Sequence, residues 1–160
     1  MIKLYQYAIS PFCTKIALIL NIKGVPYHVV EVPVSKTRQT HKLFSNYSPT
    51  CKLPVIEHNG KFIDDSTDIA YYLDEKWPDP PLIPIEERLW AKCHPYEDWA
   101  DESLNFYMMK LRWLPQNRKR WSSELAKHDS GFWRWMISKF AAKATLNILD
   151  KQGVGRWAED

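Results

Sequence analysis

The first half of the chain alternates strand-like and helix-like patterns. Ile2-Lys3-Leu4-Tyr5-Gln6-Tyr7 is a short apolar run that predicts a strand. Apolar residues at Cys13, Ile16, Ala17 and Leu20 have the spacing of one helix face and predict a helix over 11–23, ended by Gly24 in a left-handed C-cap. Tyr27 to Val32 alternates and is β-branched, which predicts a second strand, and Thr37 to Phe44 reads as a weak helix. Residues 54–58 and 61–63 are strands around Asn59-Gly60, the strongest short-range hairpin signal. Ser66 to Lys76 is a helix with an apolar face of Ile69, Ala70 and Leu73. The order β-α-β-α-β-β-α predicts a small mixed α/β sheet, its first strands parallel, with helices on both faces.

Pro78, Pro80, Pro81 and Pro84 then interrupt the pattern, and only helical periodicity follows. The expected organisation is an α/β domain over 1–78, a proline-rich linker over 79–86 and an all-α unit over 87–160. Within that unit Arg88 to Leu114 forms one helical run, which Pro95 should kink or split, and Phe132 to Lys151 forms another.

Composition narrows the picture. The chain has 160 residues, 45% of them apolar, enough for a core in one domain or two small ones. The formal charge is only +3. The one basic cluster, Lys110, Arg112, Arg118, Lys119 and Arg120, reads as a solvated helix end or loop, so no nucleic-acid partner is expected. Three widely spaced cysteines do not form a disulfide framework, and the five histidines show no metal-ligand spacing, so no metal is expected. No apolar stretch is long enough to span a bilayer; the expectation is a reduced, cytoplasmic protein with no membrane partner.

Candidate chemistry begins at Ser10-Pro11-Phe12-Cys13. Ser10 suits an N-cap, because its hydroxyl can accept from first-turn amides, and Pro11 suits the first helical position, where no donor is missed. A helix N-terminus just after a strand can hold an anion or a thiolate. Cys13, three residues on, reads best as a small apolar core residue. Asp65-Ser66, between a strand and a helix, is an N-cap by the same logic. That geometry also offers donors to a carboxylate and an acceptor to an ammonium. Pro54, on its residues alone, reads as a trans proline starting an edge strand.

These stretches together resemble the glutathione transferase family. Ser10-Pro11-Phe12-Cys13 sits where glutaredoxins and some transferases carry Cys-Pro-x-Cys. Ser48 to Val55 matches the family's loop before a cis-proline, and Asp64 to Leu73 matches its acidic-Ser pair and the helix behind it. Glu97 to Glu102 looks like the start of the helical domain in bacterial-type members. The resemblance implies a thioredoxin-like domain followed by a partial all-α domain. It also implies that glutathione, as co-substrate, is held by Phe12, Lys52, Leu53, Pro54, Asp65 and Ser66. A cis bond at Leu53-Pro54 would turn the Leu53 amide and carbonyl toward a cleft, where the cysteinyl unit can pair with both.

The function implied is conjugation of the glutathione thiolate to a small hydrophobic electrophile, with Ser10 as the catalytic residue that hydrogen-bonds the sulfur. The thiolate is the attacking species, and a free thiol titrates near ~8.5, so lowering that value activates it. Tyr96, Trp99, Phe106 and Tyr107 are candidates for the electrophile pocket. A glutathione-dependent thiol-disulfide or deglutathionylating activity through Cys13 is the second reading, and a non-catalytic glutathione-binding module the third. A detoxifying homodimer is the family expectation. The helical half is shorter than the family's, and its many tryptophans predict exposed aromatic surface unless a dimer covers it.

Overall fold

In the computed structural model, which describes residues 1–37, 39, 42, 45 and 52–151, the sheet has the order β2-β1-β3-β4. Its strands are β1 (Ile2–Gln6), β2 (Tyr27–Glu31), β3 (Val55–His58) and β4 (Lys61–Asp64). As expected, β1 and β2 are parallel; β3 runs antiparallel to both β1 and β4. Asn59 and Gly60 both take positive φ, 52° and 77°, the geometry a two-residue hairpin requires.

Helix α1 (Pro11–Ile22) follows β1, and α2 (Ser66–Lys76) follows β4. The two pack on each other over one sheet face. Their shared core takes Ile2 and Leu4 from β1, Ile56 from β3, Ile16, Ile19 and Leu20 from α1, and Ile69 and Leu73 from α2. Each such side chain contributes about 1.5–3 kcal/mol on burial. The residues between them point the other way: Lys3 and Tyr5 both reach Glu57 across the register, the Tyr5 hydroxyl at 2.8 Å. Most of the expected Thr37–Phe44 helix, the one that would cover the second face, lies outside the described residues, as does Ser48 to Cys51.

The chain folds as two compact units, Met1–Trp90 and Ala91–Asp160. The proline-rich segment expected to separate two domains is held by the first unit. Lys23, the C-cap of α1, donates to Asp74 Oδ1 at 2.6 Å and to the carbonyl oxygens of Trp77 and Pro80. Asp74 in turn accepts from the amides of Leu82 and Ile83.

Helix α3 (Glu87–Trp99) keeps Pro95 inside it. Proline has no amide to donate, so the ladder loses one bond there. The run does break, but later: a π-helical turn at Ala100–Leu104 separates α3 from α4 (Asn105–Arg112). Two further helices follow, α5 (Arg118–Leu125) and α6 (Gly131–Lys151). The basic cluster therefore spans more than a helix end. Arg112 closes α4, and Arg118, Lys119 and Arg120 open α5, which packs against α6. The Arg112 guanidinium lies 4.4 Å from the Trp121 ring centroid, so part of the charge is spent on an aromatic face rather than solvent.

Candidate functional site

Strand register decides where the three sequence motifs meet. Tyr5 pairs with Val55, and Val55 pairs with Asp64. The C-terminal end of β1, the N-terminal end of β3 and the C-terminal end of β4 therefore share one end of the sheet. Ser10 lies four positions beyond the end of β1, Pro54 immediately precedes β3, and Asp65-Ser66 immediately follows β4. The N-termini of α1 and α2 both start from this end, so two helix dipoles bring their partial positive ends to it.

Ser10 is an ordinary cap. Its φ of −76° and ψ of 125° are extended, its hydroxyl accepts from the Cys13 amide, and its carbonyl accepts from the Thr14 amide at 3.0 Å. The Ser10 amide donates to the Tyr7 carbonyl at 3.0 Å, which fixes the turn between β1 and α1. Tyr7 is held further along by a hydroxyl–hydroxyl bond to Thr37. At 3.4 Å the bond from the Cys13 amide is long, and Ser10 as a residue is half-buried.

Cys13 is 1% exposed. Burial pushes its thiol pKa up, against a lowering by hydrogen bonds involving Ser10 and Tyr7, and the charge of Glu31 raises it further. A protonated, buried thiol behaves as a small hydrophobe. Phe12, beside it, is half-buried.

The Leu53–Pro54 bond is cis. Pro54 is buried, Leu53 half-buried and Lys52 exposed. A second cis bond, Asp79–Pro80, lies in the proline-rich segment and carries no sequence signal that marked it beforehand.

Asp65 departs from ordinary cap geometry. Its φ is 64° and its ψ 129°. Its Oδ1 accepts from the Thr67 amide at 2.8 Å and its carbonyl from the Ile69 amide at 2.9 Å. A non-glycine residue in such a region costs about 1–3 kcal/mol. Capping does not require that cost, as Ser10 demonstrates on α1. Ser66, next in the chain, is buried at the first position of α2.

The four aromatic candidates in the helical part lie on α3 and α4. Tyr96, Trp99 and Tyr107 are exposed and Phe106 is half-buried. One further group went unnoticed in the sequence: His94, Glu97 and Asp98 present ligand atoms within 4.8 Å of one another on α3. All three follow helical spacing, i, i+3 and i+4, which was the available signal.

Residues 4–81 match the family described as glutathione S-transferase, N-terminal domain. The chain is 30% identical over 118 residues to glutathione S-transferase U8 of Arabidopsis thaliana, covering 69% of this chain and 49% of that one. It is 35% identical over 83 residues to glutathione S-transferase Z1 of the same plant, covering 52% and 38%. The chain spans about half the length of the curated relatives it matches. Among solved structures it is similar to the tau-class glutathione S-transferase of mango, Mangifera indica, at TM-score 0.59 and 22% identity, covering 94% of this chain and 58% of that one. It is also similar to the beta-etherase LigF of Sphingobium sp. strain SYK-6, at TM-score 0.61 and 22% identity, covering 94% and 68%. These likenesses show the fold: a thioredoxin-like four-stranded sheet followed by helices.

Proposed function

The chain belongs to the glutathione S-transferase family, and from that premise we propose that it conjugates glutathione to small apolar electrophiles at the sheet end where α1 and α2 begin. The observation that carries this reading is the strained backbone at Asp65. A conformation that costs stability and that capping does not need is characteristic of ligand-binding positions. There the Asp65 carboxylate accepts from the ammonium of the γ-glutamyl group, and the Ser66 amide and hydroxyl donate to its carboxylate. Both charges sit on one carbon of the ligand, which matches an adjacent acid–donor pair.

Leu53, before Pro54, pairs its backbone with the cysteinyl unit, and Lys52 meets the glycyl carboxylate. Phe12 packs beside the ligand. The sulfur then lies at the start of α1, where the Ser10 hydroxyl donates to it and the helix dipole favours its negative charge. The thiolate lone pair forms a carbon–sulfur bond, and the leaving group departs with its electron pair. In an addition, the electrophile instead takes up a proton from solvent. The aromatic candidates for the electrophile, Tyr96, Trp99, Phe106 and Tyr107, rest on the family resemblance alone. A homodimer and a cytoplasmic, detoxifying role belong to the same reading and rest on family membership alone.

The burial of Cys13 supports the serine reading over a thiol exchange through that cysteine. The test is calorimetric titration with glutathione of the wild type and of Asp65→Ala. Binding to the wild type with at least about tenfold weakening in the variant is expected, since a charge-assisted hydrogen bond contributes about 1.5–3 kcal/mol. Equal affinity in the two proteins, or no heat in either, would overturn it.

A further inference from the structure

The outward face of α6 carries aromatic rings and lysines together. Phe132, Trp135, Lys139 and Lys143 fall at i, i+3, i+7 and i+11, one stripe of the helix. Ile137 and Ala141, on the opposite side, are the buried ones. Phe132 is 66% and Trp135 56% exposed, and their ring centroids are 6.0 Å apart. Lys139 Nζ stands 5.1 Å from the Trp135 centroid, over the face of the ring. Between Gly131 and Asn147 the helix has no Asp or Glu. More widely, residues 105–151 hold ten Lys and Arg against three Asp and Glu, a balance of +7 in a chain whose total is +3.

We propose that this face docks on the surface of an anionic phospholipid bilayer, with Phe132 and Trp135 in the headgroup–acyl boundary and Lys139 and Lys143 on the lipid phosphates. Tryptophan favours that boundary because one edge of its ring is polar and the rest is not. Lys139 and Lys143 continue the stripe one and two turns beyond Trp135, so, with the Phe132 end of the helix the deeper one, their stems lie along the boundary and their ammonium groups reach the headgroup layer. The sequence expectation of no membrane partner rested on the lack of a spanning stretch. That observation stands: among the described residues no helix is long and apolar enough to cross a bilayer. A helix lying on the surface needs no such length. A second copy of the chain is the competing occupant, and ultracentrifugation distinguishes it from the bilayer. A single-stranded nucleic acid would meet the charges, but such strands are held in grooves, and this is the convex side of one helix. The inference does not rest on the glutathione reading.

The test mixes the full chain with vesicles of phosphatidylcholine alone, or of phosphatidylcholine with one part in about five of phosphatidylserine, and measures co-sedimentation and tryptophan emission. Expected are binding to the anionic vesicles only, loss of binding as salt rises, and a blue shift of the emission. The Lys139→Gln, Lys143→Gln pair should weaken binding about 25-fold, as about fivefold per lysine near a charged surface implies. Phe132→Ser with Trp135→Ser should remove the blue shift while circular dichroism stays unchanged. Three results would each overturn the proposal: no sedimentation with either vesicle; binding unaffected by the lysine pair; or a self-association, seen by ultracentrifugation, that Trp135→Ser abolishes. Binding of a single-stranded oligonucleotide with the same lysine dependence and no vesicle binding would assign the face to nucleic acid instead.

Discussion

The Lys23 ammonium is fully buried and donates to Asp74, a residue 51 positions away, at 2.6 Å. Its other bonds reach the Trp77 and Pro80 carbonyl oxygens, so all three of its protons are used. A lysine can be taken out of water only when it is satisfied in this way. The pair joins the end of α1 to α2 and to the proline-rich segment. Lys23→Met should lower stability by about 3–5 kcal/mol, because it leaves the Asp74 charge short of its partner. Adding Asp74→Leu should restore only part of the loss, since the Leu82 and Ile83 amides then lose their acceptor. Urea denaturation of the single and double variants measures both.

Acid should weaken the same lock. Burial pushes the Asp74 carboxyl pKa up, but bonds from Lys23 and from the Leu82 and Ile83 amides outweigh it, and the folded value lies below the ordinary one. In the unfolded chain an aspartate titrates near ~3.9. The stabilisation is therefore complete above that value and is lost as pH falls through the lower, folded one. Stability against urea should drop more steeply below about pH 4 in the wild type than in Asp74→Asn. Parallel curves for the two proteins would contradict this.

Ser10→Ala separates the two jobs assigned to one hydroxyl. Loss of the cap should cost about 1 kcal/mol of stability. Loss of the hydrogen bond to the sulfur should lower kcat with a nitro-activated aryl halide by about a hundredfold, the scale of removing one well-aimed donor. It should also raise the pKa of bound glutathione, read from thiolate absorbance against pH. A variant that loses stability but keeps both kcat and that pKa would leave Ser10 a cap and nothing more.

The cysteines should differ sharply toward an alkylating agent. Cys93 is exposed, whereas Cys13 is buried with a raised pKa. Peptide mapping after timed iodoacetamide treatment of the native protein should find Cys93 modified early and Cys13 only on unfolding. Early modification of Cys13 would revive the thiol-exchange reading.

Much of the first unit was legible because its signals are local. Ser10 and Pro11 announce a helix start, Asn59-Gly60 a hairpin, and the apolar run from Ile2 a strand. What escaped depends on partners distant in the chain or on backbone angles. Lys23 carries no local signal of the buried bond it makes to Asp74. Asp65 reads as an ordinary cap, because aspartate tolerates positive φ without advertising it. In the second unit α5 was missed: its charges dominate the eye, while the packing that stabilises it comes from α6. The delayed break after Pro95 has no residue signature at Ala100–Leu104.

The tight connection at Asn59-Gly60 acts as a spacer whose length is not free to drift. His58 faces Lys61 across it, and counting down the two arms from that rung brings Asp64 opposite Val55. One residue more or fewer there would slide the second arm by a step and turn every side chain on it to the opposite face. Asp65 would then no longer stand alongside Pro54. Insertions tolerated in most surface turns should therefore be excluded from this one, although it touches no ligand itself.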